Sequence, residues 1–243
     1  MSHFIIEPTI MIIKMSEFGF LESDSGEMQS PMVMKIRTLR ENIYYYLREA
    51  IIKQEIKPNA RIQEKDIANK FGVSTTPVRE AFLKLHAEGY ININAHRSVT
   101  VKPISHSELT EIYQVISVLD GFAANLALKM MDRNFLKRLQ ALTNEMEDFC
   151  KKEMVEEYLK LNTSIHSLIW EQASNVHLKI VLYNIQNQML RYHKERLSFY
   201  SLQGMIRKSM ESHKKILNAF KTSDSEKIER IVRSHWNISG IIP

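Results

Sequence analysis

Three histidines and one asparagine stand where aliphatic side chains are expected. Along Val155, Leu159, Ile165 and Ile169 the apolar residues follow a helical period, and Asn162 and His166 share that stripe one turn apart. His213 falls in the middle of a second stripe, Ile206, Met210, Leu217 and Phe220, and His235 follows Ile228 and Ile231/Val232 on a third. A single histidine on an apolar stripe is most often a hydrogen-bonded core residue. Three of them on separate helices of one segment, with an amide oxygen beside the first, need a shared partner, because burying unpaired imidazoles is costly. A divalent cation is such a partner, and neutral imidazole suits zinc, nickel, copper or iron. The spacing leaves both readings open, core histidines or a metal site.

The elements that carry these residues are helical throughout. Ser105-His106-Ser107-Glu108 has the pattern of a capping box opening a helix. From there the periodicity predicts six helices, at about 106–130, 132–151, 153–173, 176–199, 202–221 and 224–239, with Asp132, Asn175 and Ser223 as N-caps. No period-two segment interrupts them, so residues 105–243 are expected to form an all-α six-helix bundle. Enzymatic motifs are absent from the sequence: it has no Gly-rich phosphate loop, no Gly-x-Ser-x-Gly and no His-Glu-x-x-His. None of the three inward histidines has a glutamate three residues before it, as helical di-metal oxidases require. A metal-dependent all-helical enzyme is therefore the weaker alternative to a sensing role.

A second kind of chemistry is written between Val73 and Leu85. Phe71-Gly72-Val73 closes a short helix with a turn that uses the positive φ open to Gly72. Ser74 or Thr75 then caps a new helix, with Pro77 in its first turn. Val78, Phe82 and Leu85 bury one face, leaving Thr75, Thr76 and Arg79 on the leading one. Hydroxyls and a guanidinium offered by the first turns of a helix, after a tight Gly turn, fit a DNA recognition helix. A helix over Leu39–Lys53 precedes this pair, and Ile62, Ile67, Ala68 and Phe71 mark the helix before the turn. Alternating strands follow at Tyr90–Asn94 and Val99–Val101, around a turn at Ala95–Ser98. Three helices and a two-stranded ribbon make a winged helix-turn-helix. Charge agrees with that placement: residues 31–104 hold 13 Lys/Arg against 7 Asp/Glu, whereas residues 1–30 hold 1 against 5.

Pro58-Asn59-Ala60-Arg61-Ile62, Asp66-Ile67-Ala68, Val73 through Ala81, Gly89-Tyr90 and Arg97 resemble the DNA-binding domain of GntR-family transcriptional regulators. The resemblance implies DNA contacts from Arg61, Lys65, Ser74, Thr75, Thr76, Arg79, His96 and Arg97, with Arg61 and Lys65 on phosphates. The helical segment is similar to the sensing domain of FadR-type members (the FCD domain), in the six-helix variant typified by VanR. Glu111 through Ala124, Asn162-Thr163-Ser164-Ile165-His166, Glu211-Ser212-His213-Lys214 and Ser234-His235 carry that similarity. By this resemblance Asn162, His166, His213 and His235 hold a divalent metal, zinc first, with nickel or manganese as alternatives. Asn162 replaces the usual carboxylate. The resemblance also implies a small effector, often a carboxylate met by an Arg on the first helix of the domain. Ile116 stands at that position, and Tyr113, Gln188, Arg191 and Tyr192 are the candidate effector contacts.

Cys150 is the only cysteine, which points to a reducing, cytoplasmic setting. No apolar run is long enough to span a membrane, and the apolar N-terminus, interrupted by Glu7-Pro8, is not a secretory signal. The expected organisation is an N-terminal extension over 1–30, a winged helix-turn-helix over 31–104 and a metal- and effector-sensing domain over 105–243. The expected partner is double-stranded operator DNA, gripped by a homodimer.

Overall fold

The computed structural model describes residues 38–94, 98–201 and 204–236. All of them fall within one compact unit, Lys35–Pro243. The extension over 1–30, with His96 and Arg97, lies outside the described residues.

The first helix, α1 (Leu39–Ile52), opens on a capping box that joins Thr38 to Glu41. Its buried face of Ile43, Leu47, Ala50 and Ile51 packs on α3, while Leu39, the first residue of the expected stripe, remains exposed. Ile62 belongs to a short strand, β1 (Arg61–Ile62), rather than to the helix the sequence assigned it to. That helix, α2 (Glu64–Phe71), ends at Gly72 with φ 65°, and Val73 N–H turns back to the Ala68 carbonyl. α3 (Thr75–Ala87) begins at Ser74, whose side chain makes no capping hydrogen bond. Val78, Phe82 and Leu85 on α3 are buried as expected.

β2 (Ile91–Ile93) and β3 (Val99–Val101) form the ribbon, and β1 adds a third strand that sequence reading missed. The antiparallel order is β1-β3-β2, with Arg61 opposite Thr100 and Ile91 opposite Val101. A two-residue strand carries too few residues to show a period.

The helical part runs through α4 (His106–Met130), α5 (Arg133–Lys151), α6 (Val155–Gln172), α7 (Val176–Leu190), α8 (His193–Ser201), α9 (Met205–Lys221) and α10 (Ser225–Trp236). Among the described residues this makes seven helices, not six. The single helix expected over 176–199 breaks at Arg191-Tyr192, where both side chains turn toward the start of α4. Asp132 and Asn175 cap α5 and α7 as expected. Ser223 does not cap α10. It has φ 52° and closes α9, and Asp224 accepts from the Lys227 amide at 3.1 Å instead. The Ser105 hydroxyl caps α4, but Glu108 is not its reciprocal partner, because that carboxylate is taken by Lys102, Arg191 and Tyr192.

α4 and α10 cross unusually closely, and Gly121 permits it. A Cβ built there would stand 2.6 Å from Arg233 Cγ and 3.0 Å from the Glu229 carbonyl oxygen. Gly121→Ala is therefore expected to force the helices apart and lower stability by about 1–3 kcal/mol, read as a fall in the thermal unfolding midpoint.

Candidate functional site

The close α4–α10 crossing sets His235 at the end of α10 against α6 and α9. His166, His213 and His235 then converge. One ring nitrogen of each lies within 4.8 Å of the others, and all three residues are buried. His213 Nδ1 contacts the Ser209 carbonyl oxygen at 2.9 Å, which fixes that ring and leaves Nε2 buried without a partner. His166 Nε2, His235 Nδ1 and Asn162 Oδ1 are likewise buried and unpartnered. Burial, and then the neighbouring His166, push His213 down to about 3. Burial, with His213 and His166 next, holds His235 well below its ordinary value. Both imidazoles are thus neutral at pH 7, with lone pairs free. Unpartnered polar atoms in a dry core are costly unless something fills the space between them. Four such atoms from four side chains fit a small cation, with nitrogen donors of the type zinc or nickel prefers.

Sequence reading did not single out Asp120, on α4. It has no exposure at all, and its Oδ2 lies 2.8 Å from His166 Nδ1, although not aligned as a hydrogen bond. The indole N–H of Trp170 donates to Asp120 Oδ1 at 2.5 Å, and that of Trp236 to Oδ2 at 2.6 Å. One signal for it was available. Asp120 falls on the inward stripe of α4 with Ile116 and Ala124, where an acidic residue calls for a reason.

A small cavity adjoins the histidines, with about 10 Å³ of interior space, about the room one water needs. Asn162, His166, Trp236, Ile116, Gln186 and Arg196 are among the residues that line it. The cation here is Arg196, on α8, which is buried with no hydrogen-bond partner for its Nε. None of the four expected effector contacts lines the cavity. Arg191 is 2% exposed and committed to the Pro103 carbonyl at 2.8 Å and to Glu108. Tyr192 donates to Glu108 at 2.6 Å. Gln188 faces Gly89, and Tyr113 packs against the Trp236 ring. Burial alone would raise the Glu108 carboxyl, but hydrogen bonds from Lys102 and Tyr192 and the Arg191 charge outweigh it and hold it below its ordinary range.

The break between α7 and α8 is also where the two halves of the chain meet. Asn187 accepts from Arg48 at 3.2 Å through its side chain and from the Tyr90 hydroxyl at 2.8 Å through its carbonyl. Gln54 donates to Glu195 at 3.2 Å. Leu190 lines the cavity and also packs on the core of the N-terminal half.

In that half, Arg61, Lys65, Ser74, Thr76 and Arg79 are exposed and Thr75 is half-buried. Thr76, Arg79 and the exposed Leu83 share one face of α3. Arg79 Nε is paired with Glu64 Oε2 at 2.7 Å.

An N-terminal winged helix-turn-helix followed by a helical domain defines a DNA-binding transcription regulator. Two family profiles match the chain, one described as "Bacterial regulatory proteins, gntR family" over residues 39–101 and the FCD domain over residues 111–237. The chain belongs to the GntR family and carries an FCD domain. It is 26% identical over 195 residues to the uncharacterized HTH-type transcriptional regulator YdhC of Bacillus subtilis, covering 80% of this chain and 86% of that one. To the HTH-type transcriptional repressor RspR of Escherichia coli it is 24% identical over 199 residues, covering 81% and 85%. The solved structure of E. coli McbR/YncC has the same fold, with a TM-score of 0.65 at 23% identity, covering 83% and 94%. These relatives are transcription regulators, not enzymes.

Arg191, placed as it is, ties the linker and Glu108 to the α7–α8 break. Arg191→Met is expected to cost about 1–3 kcal/mol by stranding the Pro103 carbonyl and Glu108, while leaving metal affinity unchanged. Thermal unfolding beside a zinc titration separates the two effects.

Proposed function

We propose that this GntR-family regulator binds a divalent cation through Asn162, His166, His213 and His235, and that a small anionic effector above it modulates operator binding. We also propose the division into 1–30, 31–104 and 105–243 as its functional organisation. The observation that carries the reading is the convergence of three buried imidazoles beside a cavity whose wall includes Leu190, which also packs on the core of the DNA-binding half. A bound cation would supply a Lewis acid with open positions for an oxygen ligand. Zinc is the first candidate, ahead of nickel or manganese.

The guanidinium of Arg196 supports an anionic effector, since it supplies at the cavity the charge that Ile116 does not. An effector larger than a water must displace side chains there. Leu190 carries such a displacement to the DNA-binding half, because it belongs to both. A ligand shifts DNA affinity only through its different affinity for the two arrangements, and the contacts of Asn187 and Glu195 are where these arrangements would differ. A homodimer is supported by apolar side chains left outward on α4 (Val115, Val118, Phe122) and on α7 (Val176, Ile180, Val181), which packs beside it. Among the described residues no helix is long and apolar enough to cross a membrane.

On DNA, Arg79 is proposed to read a guanine, with Ser74, Thr75 and Thr76 beside it. Arg61 and Lys65 would meet phosphates, and His96 and Arg97 would reach from the wing. Arg79→Ala is expected to weaken specific operator binding by about 1–3 kcal/mol in a gel-shift titration. Lys65→Ala should weaken all sequences alike and reduce the salt slope by about one. Specific binding unchanged in Arg79→Ala would refute the assignment.

For the cation, elemental analysis of untagged protein should find one metal per chain. Zinc at about 100 times its dissociation constant should stabilise the chain by about 2.7 kcal/mol. Chelation should lower the melting temperature of the wild type and leave His213→Ala unmoved. Gel shifts run with and without the cation then test its effect on operator binding.

A further inference from the structure

We infer that Asp120 is the counter-charge of the metal centre and positions His166 for it, an assignment that rests on the metal reading above. The proposed donors, an amide and three imidazoles, bring no negative charge to a buried dication. Asp120 is the carboxylate in contact with them. It is completely buried, and among the described residues its one ion-pairing contact is with His166. Two indole N–H groups satisfy its oxygens as hydrogen-bond acceptors but leave its charge uncompensated. An isolated carboxylate in such a place is strongly disfavoured. A cation one imidazole away removes that cost, and the carboxylate in turn compensates the cation.

Asp120 is not itself a ligand. The atoms that converge within 4.8 Å of one another come from the three histidines alone, and both Asp120 oxygens are held by Trp170 and Trp236. Its action goes through the ring. With Oδ2 at 2.8 Å from Nδ1, a small rotation of the imidazole aligns Nδ1–H on the carboxylate, fixing the tautomer that leaves Nε2 for the cation. His213 is set the same way by a backbone carbonyl, Nδ1 on Ser209 and Nε2 open. The indoles hold the carboxylate in place from α6 and α10, so three helices fix one oxygen pair.

The experiment uses the full untagged chain, stripped with a chelator and titrated with zinc against a chromogenic competitor. Asp120→Asn, which keeps the shape and removes the charge, should weaken zinc about 10–100-fold. Adding Asn162→Asp to that variant returns a negative charge to the centre and should recover much of the loss. A purely structural Asp120 predicts the opposite pattern, lower stability of the zinc-free variant with unchanged zinc affinity, and that result overturns the inference. If Asp120→Asn does not fold, the wild type decides. The chain has 2 tryptophans, and both donate to Asp120. Stoichiometric zinc must therefore shift their emission, and binding without a shift overturns the inference. A wild type that takes no zinc, nickel or manganese overturns the metal reading and this one with it. A wild type and an Asp120→Asn that bind equally overturn this one alone.

Discussion

A carboxylate buried in the middle of a helical domain constrains everything around it. Asp120 can be there only while Trp170, Trp236 and His166 surround it, so α4, α6 and α10 are tied at one point by directional bonds as well as by apolar contact. The close passage at Gly121, the next residue, brings the end of α10 near enough for Trp236 to reach that carboxylate. His235 arrives by the same passage. The arrangement of the histidines thus follows from how tightly two helices can cross.

The second constraint lies at the elbow between α7 and α8. Within ten residues, 187–196, the chain touches α1, the residue before β2, the linker to α4 and the cavity wall. Arg191 is spent on holding the linker, which is why another arginine, Arg196, stands at the cavity. The break itself is a tertiary effect: Arg191 N–H and Tyr192 N–H bond to carbonyls three residues back while their side chains reach Glu108.

That distinction explains what could be read from the sequence. Inward stripes are a local property, so Asn162, His166, His213 and His235 could be picked out by period alone, and all four are buried. Gly72 and the helices on either side of it were legible because a left-handed turn has few residues that suit it. The α7–α8 break was not, since no Gly or Pro stands between Val176 and Ser201 and only the distant Glu108 makes the turn favourable. A single helix over 176–199 makes Gln188, Arg191 and Tyr192 the expected effector contacts, and they alternate along the chain with Gln186, Met189 and Leu190, which line the cavity. β1 went unread because two residues carry no period, and Ser223, with Glu226 three residues on, has a capping spacing although Asp224 makes the bond.

The ion pair between Arg79 and Glu64 bears on how such a protein finds its site among many others. If Arg79 reads a base as proposed, its guanidinium, while held by its own carboxylate, would present little net charge to a random stretch of duplex. Arg61 and Lys65, proposed for the phosphates, are exposed beside it. Travel along DNA would then run with the proposed reader neutralised, and a base edge would have to compete with Glu64 before the chain stops there. A guanine offering two acceptors in the right plane can win that exchange, while a lone phosphate oxygen has less to offer. The carboxylate on α2 would in this sense be a threshold, trading some affinity everywhere for a sharper choice of where to stay.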